Sequence, residues 1–318
     1  LEIGMPDARP DSRPDARSAS TSPAVHDVTI ARWILRIAAV ATGATVPLLA
    51  DRLDAVSSGA AVLSSIALWA LWGVVLLCVL VPSAVSLTAL RLVAPAHLSI
   101  TAILVVGAVT DDASTVTVLA IVPILVTTVV AMTADIGSNF VQSSAYGDEF
   151  RVLLLPGRAF LVVLIASWVI WIASLVVGAL ALTREAWLAG GVLVAFGVIL
   201  TAVLPRRFHR FARRWLVVVP AGLVLHDHVV LAETAMFQRT AITSVTVAAR
   251  DSDVADLSGR SRGPGLRVEL LDFDTVVLAA TPNQPGGSAL HVKSWWVRPS
   301  RPGRLINAWS RPRARSTS

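Results

Sequence analysis

The chain has 318 residues, 55% hydrophobic and only 15% charged, where a soluble domain carries about a quarter charged. An apolar excess of that size needs a lipid solvent and excludes an ordinary soluble globule. The net charge of +6 is unevenly spread: residues 1–204 hold 10 arginines against 13 acids, a balance of −3, and residues 205–318 hold 17 basic residues against 8 acids, a balance of +9. The two parts therefore face different surroundings.

Residues 1–28 repeat Pro-Asp-Ala/Ser-Arg and have almost nothing apolar to bury, which predicts a disordered tail. No apolar core of a signal peptide lies within it. Six runs then approach the ~20 apolar residues that cross a bilayer core, near 31–50, 59–81, 93–109, 115–134, 159–182 and 186–204. The second, fourth, fifth and sixth contain no Asp, Glu, Lys, Arg or His. The first carries Arg32 and Arg36 at one end, where they can snorkel to head groups. The third is the shortest, with Pro95 and His97 near its start, and reads as a span or as a re-entrant segment with His97 at the interface. Cys78, the sole cysteine, lies inside the second run, which excludes an intrachain disulfide. Gly191 with Ala195, Gly197 with Thr201, and Ser174 with Gly178 sit four apart and predict close helix packing within the bundle or in a homo-oligomer.

Between the spans, Asp111 and Asp112 read as an N-cap and first-turn acid for the next helix, with a cation site as the alternative. The stretch 134–158 is the most polar interruption. Its acids are expected to be solvated or paired with the basic C-terminal part, and Tyr146, Asp148, Glu149 and Arg151 are the candidates for an interdomain or partner contact.

RRFHRFARRW, residues 206–215, follows the last apolar run directly. That adjacency explains Arg206, Arg207, Arg210, Arg213 and Arg214 as a boundary facing anionic lipid, each worth up to about 1 kcal/mol near the surface. Nucleic acid is not needed as a partner. Six spans with this block in the cytoplasm place Arg9, Arg13, Arg17, Arg32, Arg36, Arg91, Arg151 and Arg158 on the same side, leaving Arg52 and Arg184 outside, as the positive-inside rule requires. Both termini are then cytoplasmic. From Trp215 the runs WLVVV, LVLH, HVVL, ITSVTVAA, LRVELL and TVVLAA are short and β-branched, reading as strands of a small antiparallel sheet. A helix with Ser300 as cap, Pro302 in its first turn and Leu305, Ile306 and Trp309 on one side closes the pattern. His226 and His228 flank Asp227 and read as a polar hairpin turn, with a metal pair as the alternative.

Six or seven strands and then a helix resemble the pleckstrin-homology-like (PH-like) fold, in particular bacterial PH domains attached to membrane spans. The combination of SAYGDEFRVLLLPG (144–157), RRWLVVVPAGLVLHD (213–227) and VRPSRPGRLINAW (297–309) is similar to actinobacterial integral membrane proteins with a PH-like tail. Arginine used almost to the exclusion of lysine, with abundant alanine and valine, fits a GC-rich bacterial genome. The resemblance implies architecture and carries over no active-site residue. The expected organisation is a tail (1–28), an α-helical polytopic bundle (29–205), a basic juxtamembrane segment (206–214), a β-rich PH-like domain (215–310) and a basic tail (311–318). No phosphate loop, dinucleotide fingerprint, nucleophile elbow or zinc-protease pattern occurs, so no cofactor and no metal is expected. The expected role is a non-enzymatic protein of the bacterial inner membrane that presents a cytoplasmic module to anionic lipid or to a protein partner. A transporter or channel for a neutral or lipidic substrate is the alternative, and a membrane-embedded enzyme the third reading.

Overall fold

The computed structural model describes residues 23–50, 58–109, 119–251, 253–280 and 284–311. The expected tails over 1–22 and 312–318, the pair Asp111–Asp112 and the turn at 51–57 lie outside those residues. Among the described residues five helices are long and apolar enough to cross a membrane, or six if a bent pair counts as one span. These are α1 (Pro23–Ala50), α2 (Ser58–Leu80), α3 (Ala84–Val109), the bent pair α4 (Ile121–Met132) and α5 (Ala134–Gln142), α6 (Arg158–Thr183) and α7 (Trp187–Ala212). At 1.5 Å per residue the 26-residue helices α3, α6 and α7 each rise about 39 Å, more than the ~30 Å hydrocarbon core. Helix α1 starts at Pro23, so the residues up to 28 are not all tail.

Helix α3 is not the short segment that its sequence suggested. Its onset is set by Ser83, whose hydroxyl accepts from the Ser86 amide at 3.0 Å, a cap that satisfies an otherwise orphaned donor. From there it runs through Pro95 and His97 for 26 residues. His97 is only 1% exposed, so the interfacial placement is corrected: it lies inside the bundle, well into the helix.

The fourth segment breaks by 67° at Thr133. Thr133 adopts an extended ψ of 152° and caps α5 by accepting from the Ile136 amide. Across the break, Arg91 on α3 donates to the carbonyls of Ala131 (3.1 Å) and Thr133 (3.2 Å), where the end of a helix leaves acceptors unpaired. A Cβ at Gly137 would stand 2.7 Å from both Arg91 Nη2 and Leu153 Cδ1, so glycine lets α5 close over the guanidinium. Arg91 is thus an internal brace and not a surface charge.

Helices α6 and α7 form a hairpin that meets the rest through α3. Hypothetical Cβ atoms at Gly178 and Gly197 would come within 2.9 Å of Val194 and 2.5 Å of Leu175, the close approach that small residues permit. Gly191 faces open space and has no such role. Trp168 donates to the Leu92 carbonyl and Trp171 to the Thr201 hydroxyl. Trp72 packs between α1 and α2 and donates to the Ala39 carbonyl.

The β-rich part is two four-stranded sheets. One is β1 (Phe150–Leu153), β2 (Trp215–Val219), β3 (Gly222–His226) and β4 (Ala235–Gln238), antiparallel and in that order. The other has the order β5 (Ile242–Ala248), β7 (Gly265–Leu278), β8 (Ser288–Val297), β6 (Ala255–Asp256). The inward residues of both sheets form one core around Leu216, Leu223, Phe237, Leu266, Val268, Val292 and Trp295. Helix α8 (Pro302–Trp309) contributes Leu305 to it. Its N-cap is Arg301, not Ser300.

Strand β1 comes from between the spans, so residues 215–310 do not complete their own first sheet. The Gln142 side chain fixes the approach, donating to the Glu149 carbonyl and accepting from the Arg151 amide, both at 2.8 Å. Beyond the strand, the Leu154 amide donates to Arg214, that of Leu155 to Arg298, and that of Ser300 to Leu153. Bundle and β module are therefore joined through the backbone of two separate loops.

Candidate functional site

The basic run ends α7, and the joint between α7 and β2 sorts its arginines into two kinds. Arg206, Arg207, Arg210 and Arg213 are exposed. Arg206 and Arg210, one turn apart, share a face. Arg214, one residue after the helix cap, turns inward and is fully buried, which corrects its assignment to the membrane surface. Its Nε lies 2.9 Å from both Asp227 oxygens, its Nη2 is 2.8 Å from Asp227 Oδ2, and Nη2 also donates to the Ser258 carbonyl at 2.8 Å. Asp227 is equally buried and accepts the Val229 amide as well. A buried guanidinium is tolerable only with such a partner.

The loop that supplies Ser258 is tight. Gly259 and Arg260 adopt φ of 72° and 63°, a region glycine enters freely and arginine only with support. A Cβ on Gly157, the cap of α6, would collide with the Gly259 carbonyl. Ser261 donates to the Leu155 carbonyl at 2.9 Å. The start of α6, the end of α7 and this loop are thereby packed into one joint.

Beside the joint opens a cleft of about 520 Å³ lined by Arg210, Arg213, His228, Leu231, Ala232, Ala279 and Ala280. Arg210 also donates to the His228 carbonyl at 3.1 Å, which draws the helix end toward the β module. The cleft thus combines two arginines and a histidine with Leu231 and three alanines in its lining. Such an arrangement suits a phosphate or carboxylate carried on an apolar stem.

On the neighbouring sheet face, Arg151 lies 5.4 Å from the Trp215 ring, Trp215 stacks on His226 at 5.0 Å, and His226 meets His228 edge-on at 4.4 Å. Arg151, placed in a loop by sequence, is thus a strand residue that anchors this column, with Glu149 paired to it at 2.6 Å. Tyr146 is 87% exposed and Asp148 is exposed. The His226 Nδ1 is 2.9 Å from the Thr234 hydroxyl. Burial first, then the neighbouring His228 and Arg213, push its pKa down to about 4, so it is neutral near pH 7. The two imidazoles do approach each other, but among the described residues no group of three His, Cys, Asp or Glu is placed to hold a metal.

The expected pairing of the acids of 134–158 with the basic C-terminal part is met at Asp135, although the sequence did not name its partners. Asp135, in the first turn of α5, pairs with Arg301 at 2.5 Å and Arg304 at 3.1 Å on α8. The acid was visible in the polar stretch 134–158, but nothing in the pattern named its partners 166 and 169 positions on.

Together these features describe a polytopic helical protein with a β module built onto its end. No family model matches the chain, and neither the curated proteins nor the solved structures gave a match.

Proposed function

We propose that this chain is a non-enzymatic, multi-pass protein of the bacterial inner membrane whose helical bundle holds a cytoplasmic PH-like module against the lipid surface. The two packed sheets and closing helix support the PH-like reading, and the arginine balance supports cytoplasmic termini. The cleft at the end of α7 carries the argument. It lies just beyond the point where the apolar run gives way to Arg206, which in this reading is the level of the lipid head groups, and Arg210 and Arg213 line it.

Its ligand in this reading is the phosphate of an anionic lipid, held by Arg210 and Arg213, with Arg206 and Arg207 adding surface attraction. The module is fastened to the bundle by β1, by the Arg214–Asp227 pair and by the Asp135 clasp. It therefore works as a rigid regulatory or scaffolding head and not as a tethered one. Native mass spectrometry of the full chain released from detergent tests this. Anionic phospholipid is expected to stay bound to the unaltered protein and to be lost from an Arg210→Ala/Arg213→Ala variant. Equal retention by both would overturn the reading.

A further inference from the structure

Besides Arg32 Nε and Arg36 Nε of α1, three polar atoms inside the helical bundle are buried and carry no hydrogen-bond partner among the described residues: His97 Nδ1, Thr101 Oγ1 and Thr127 Oγ1. Their residues are 1%, 1% and 0% exposed. The threonines are exceptions within this bundle. Thr42, Thr88 and Thr128 each return their hydroxyl to the carbonyl four residues earlier on their own helix, the usual local outlet for such a group. Thr101 and Thr127 do not.

Helix geometry brings the three to one level. His97 and Thr101 are one turn apart on α3 and share its inward stripe with Leu90 and Ala94. Thr127 lies on the buried stripe of α4 with Ile124 and Ala131. Two marks set the pairing of these helices: Val105 clusters with Ala120, and Arg91 reaches Ala131. The helices therefore run antiparallel. His97, between the marks on α3, faces the turn of α4 that holds Thr127, between the marks there.

We propose that His97, Thr101 and Thr127 form a polar binding site within the membrane bundle whose ligand is water. An imidazole nitrogen and two hydroxyls supply the two to four partners that a buried water requires. Leu, Ile and Ala around them exclude a charged guest, and no acid of the described residues lies on these stripes. The site is independent of the basic cleft and does not rest on the function proposed for it. An intramembrane histidine with unpartnered hydroxyls on its own stripe and on the facing one is a feature that a passive anchor does not need.

The test uses the unmodified full chain in lipid bilayers, labelled with 13C at alanine carbonyls and with both 13C and 15N throughout histidine, so that the backbone amide is connected to the imidazole. Ala96–His97 is the sole Ala–His pair in the sequence, so the label pair singles out His97. Magnetisation transfer from water to the His97 imidazole is expected in solid-state NMR, and its absence would overturn the site. A thermal double-mutant cycle gives a second readout. Thr127→Val is expected to lower the melting midpoint in the natural background and to have no such effect after His97→Leu, because one shared water couples the two. Additive shifts of either sign would mean independent side chains and no shared ligand.

Discussion

Replacing Asp227 with alanine removes every carboxylate contact of a guanidinium that has no solvent to fall back on. Arg214 would keep a single acceptor, the Ser258 carbonyl, while its Nη1 is already buried without a partner. The Val229 amide would lose its acceptor as well. Breaking a buried pair from one side costs about 3–5 kcal/mol, most of it the stranded charge. For a cooperative unit of this size that corresponds to a fall in melting temperature of roughly 10 °C. Differential scanning fluorimetry on the detergent-solubilised full chain, following the buried Trp295 and Trp296, reads the loss. The paired replacement Arg214→Met/Asp227→Leu removes both charges and is expected to recover most of it. A drop below about 1 kcal/mol for Asp227→Ala would refute the reasoning, since it would mean that water reaches the pair.

Acid should weaken the module through His226. Its folded pKa is held near 4 by burial, whereas an unfolded histidine titrates near 6.5. Between those values the unfolded chain binds more protons, so stability falls as pH drops from about 6.5 to 4 and is level above that window. The His226→Phe variant, which keeps an aromatic ring against Trp215, should show a flatter melting profile over the same range, and an unchanged slope would count against the assignment. Gly197→Val should strain the α6–α7 hairpin against Leu175 and cost about 1–3 kcal/mol, while Gly191→Val, facing open space, should leave the thermal midpoint unaltered. Asp135→Asn should loosen α8, seen as faster amide exchange over 303–309 at a cost of about 1 kcal/mol, because the clasp is partly exposed.

The spans were legible because a run of some twenty uncharged apolar residues has few uses outside lipid. Their ends were less so. The start of α3 depended on Ser83 as a cap within an apolar context, and the bend in the fourth segment depended on Arg91 reaching across from another helix. Strand β1 was hidden for a different reason: Phe150–Leu153 is only four residues long and becomes a strand by pairing with Trp215–Val218. HVVL was read as a strand but forms a turn with one isolated bridge at Leu231. AMFQ and SALHVKSWWV were passed over, and LRVELL and TVVLAA proved to be one long strand interrupted by an irregular stretch between Glu269 and Asp274.

At the candidate site, the arginine cluster was plain in composition but its sorting was not. Arg213 and Arg214 are adjacent and of one kind, yet one lines the cleft and the other is sealed inside. That difference follows from the chain leaving α7 and entering β2 between them, a turn that no spacing rule encodes. His97 is the same lesson inside the bundle, since burial there depends on which helix faces its stripe.

The β module is completed by a strand from between the spans. Cysteines placed at Arg151 and Val217, which pair across β1 and β2, in a Cys78→Ala chain with a protease site at the exposed turn near Glu185, report this directly. After oxidation and cleavage the two halves should migrate as one species that separates only on reduction. Two free fragments without reductant, from protein that still behaves as folded, would contradict it.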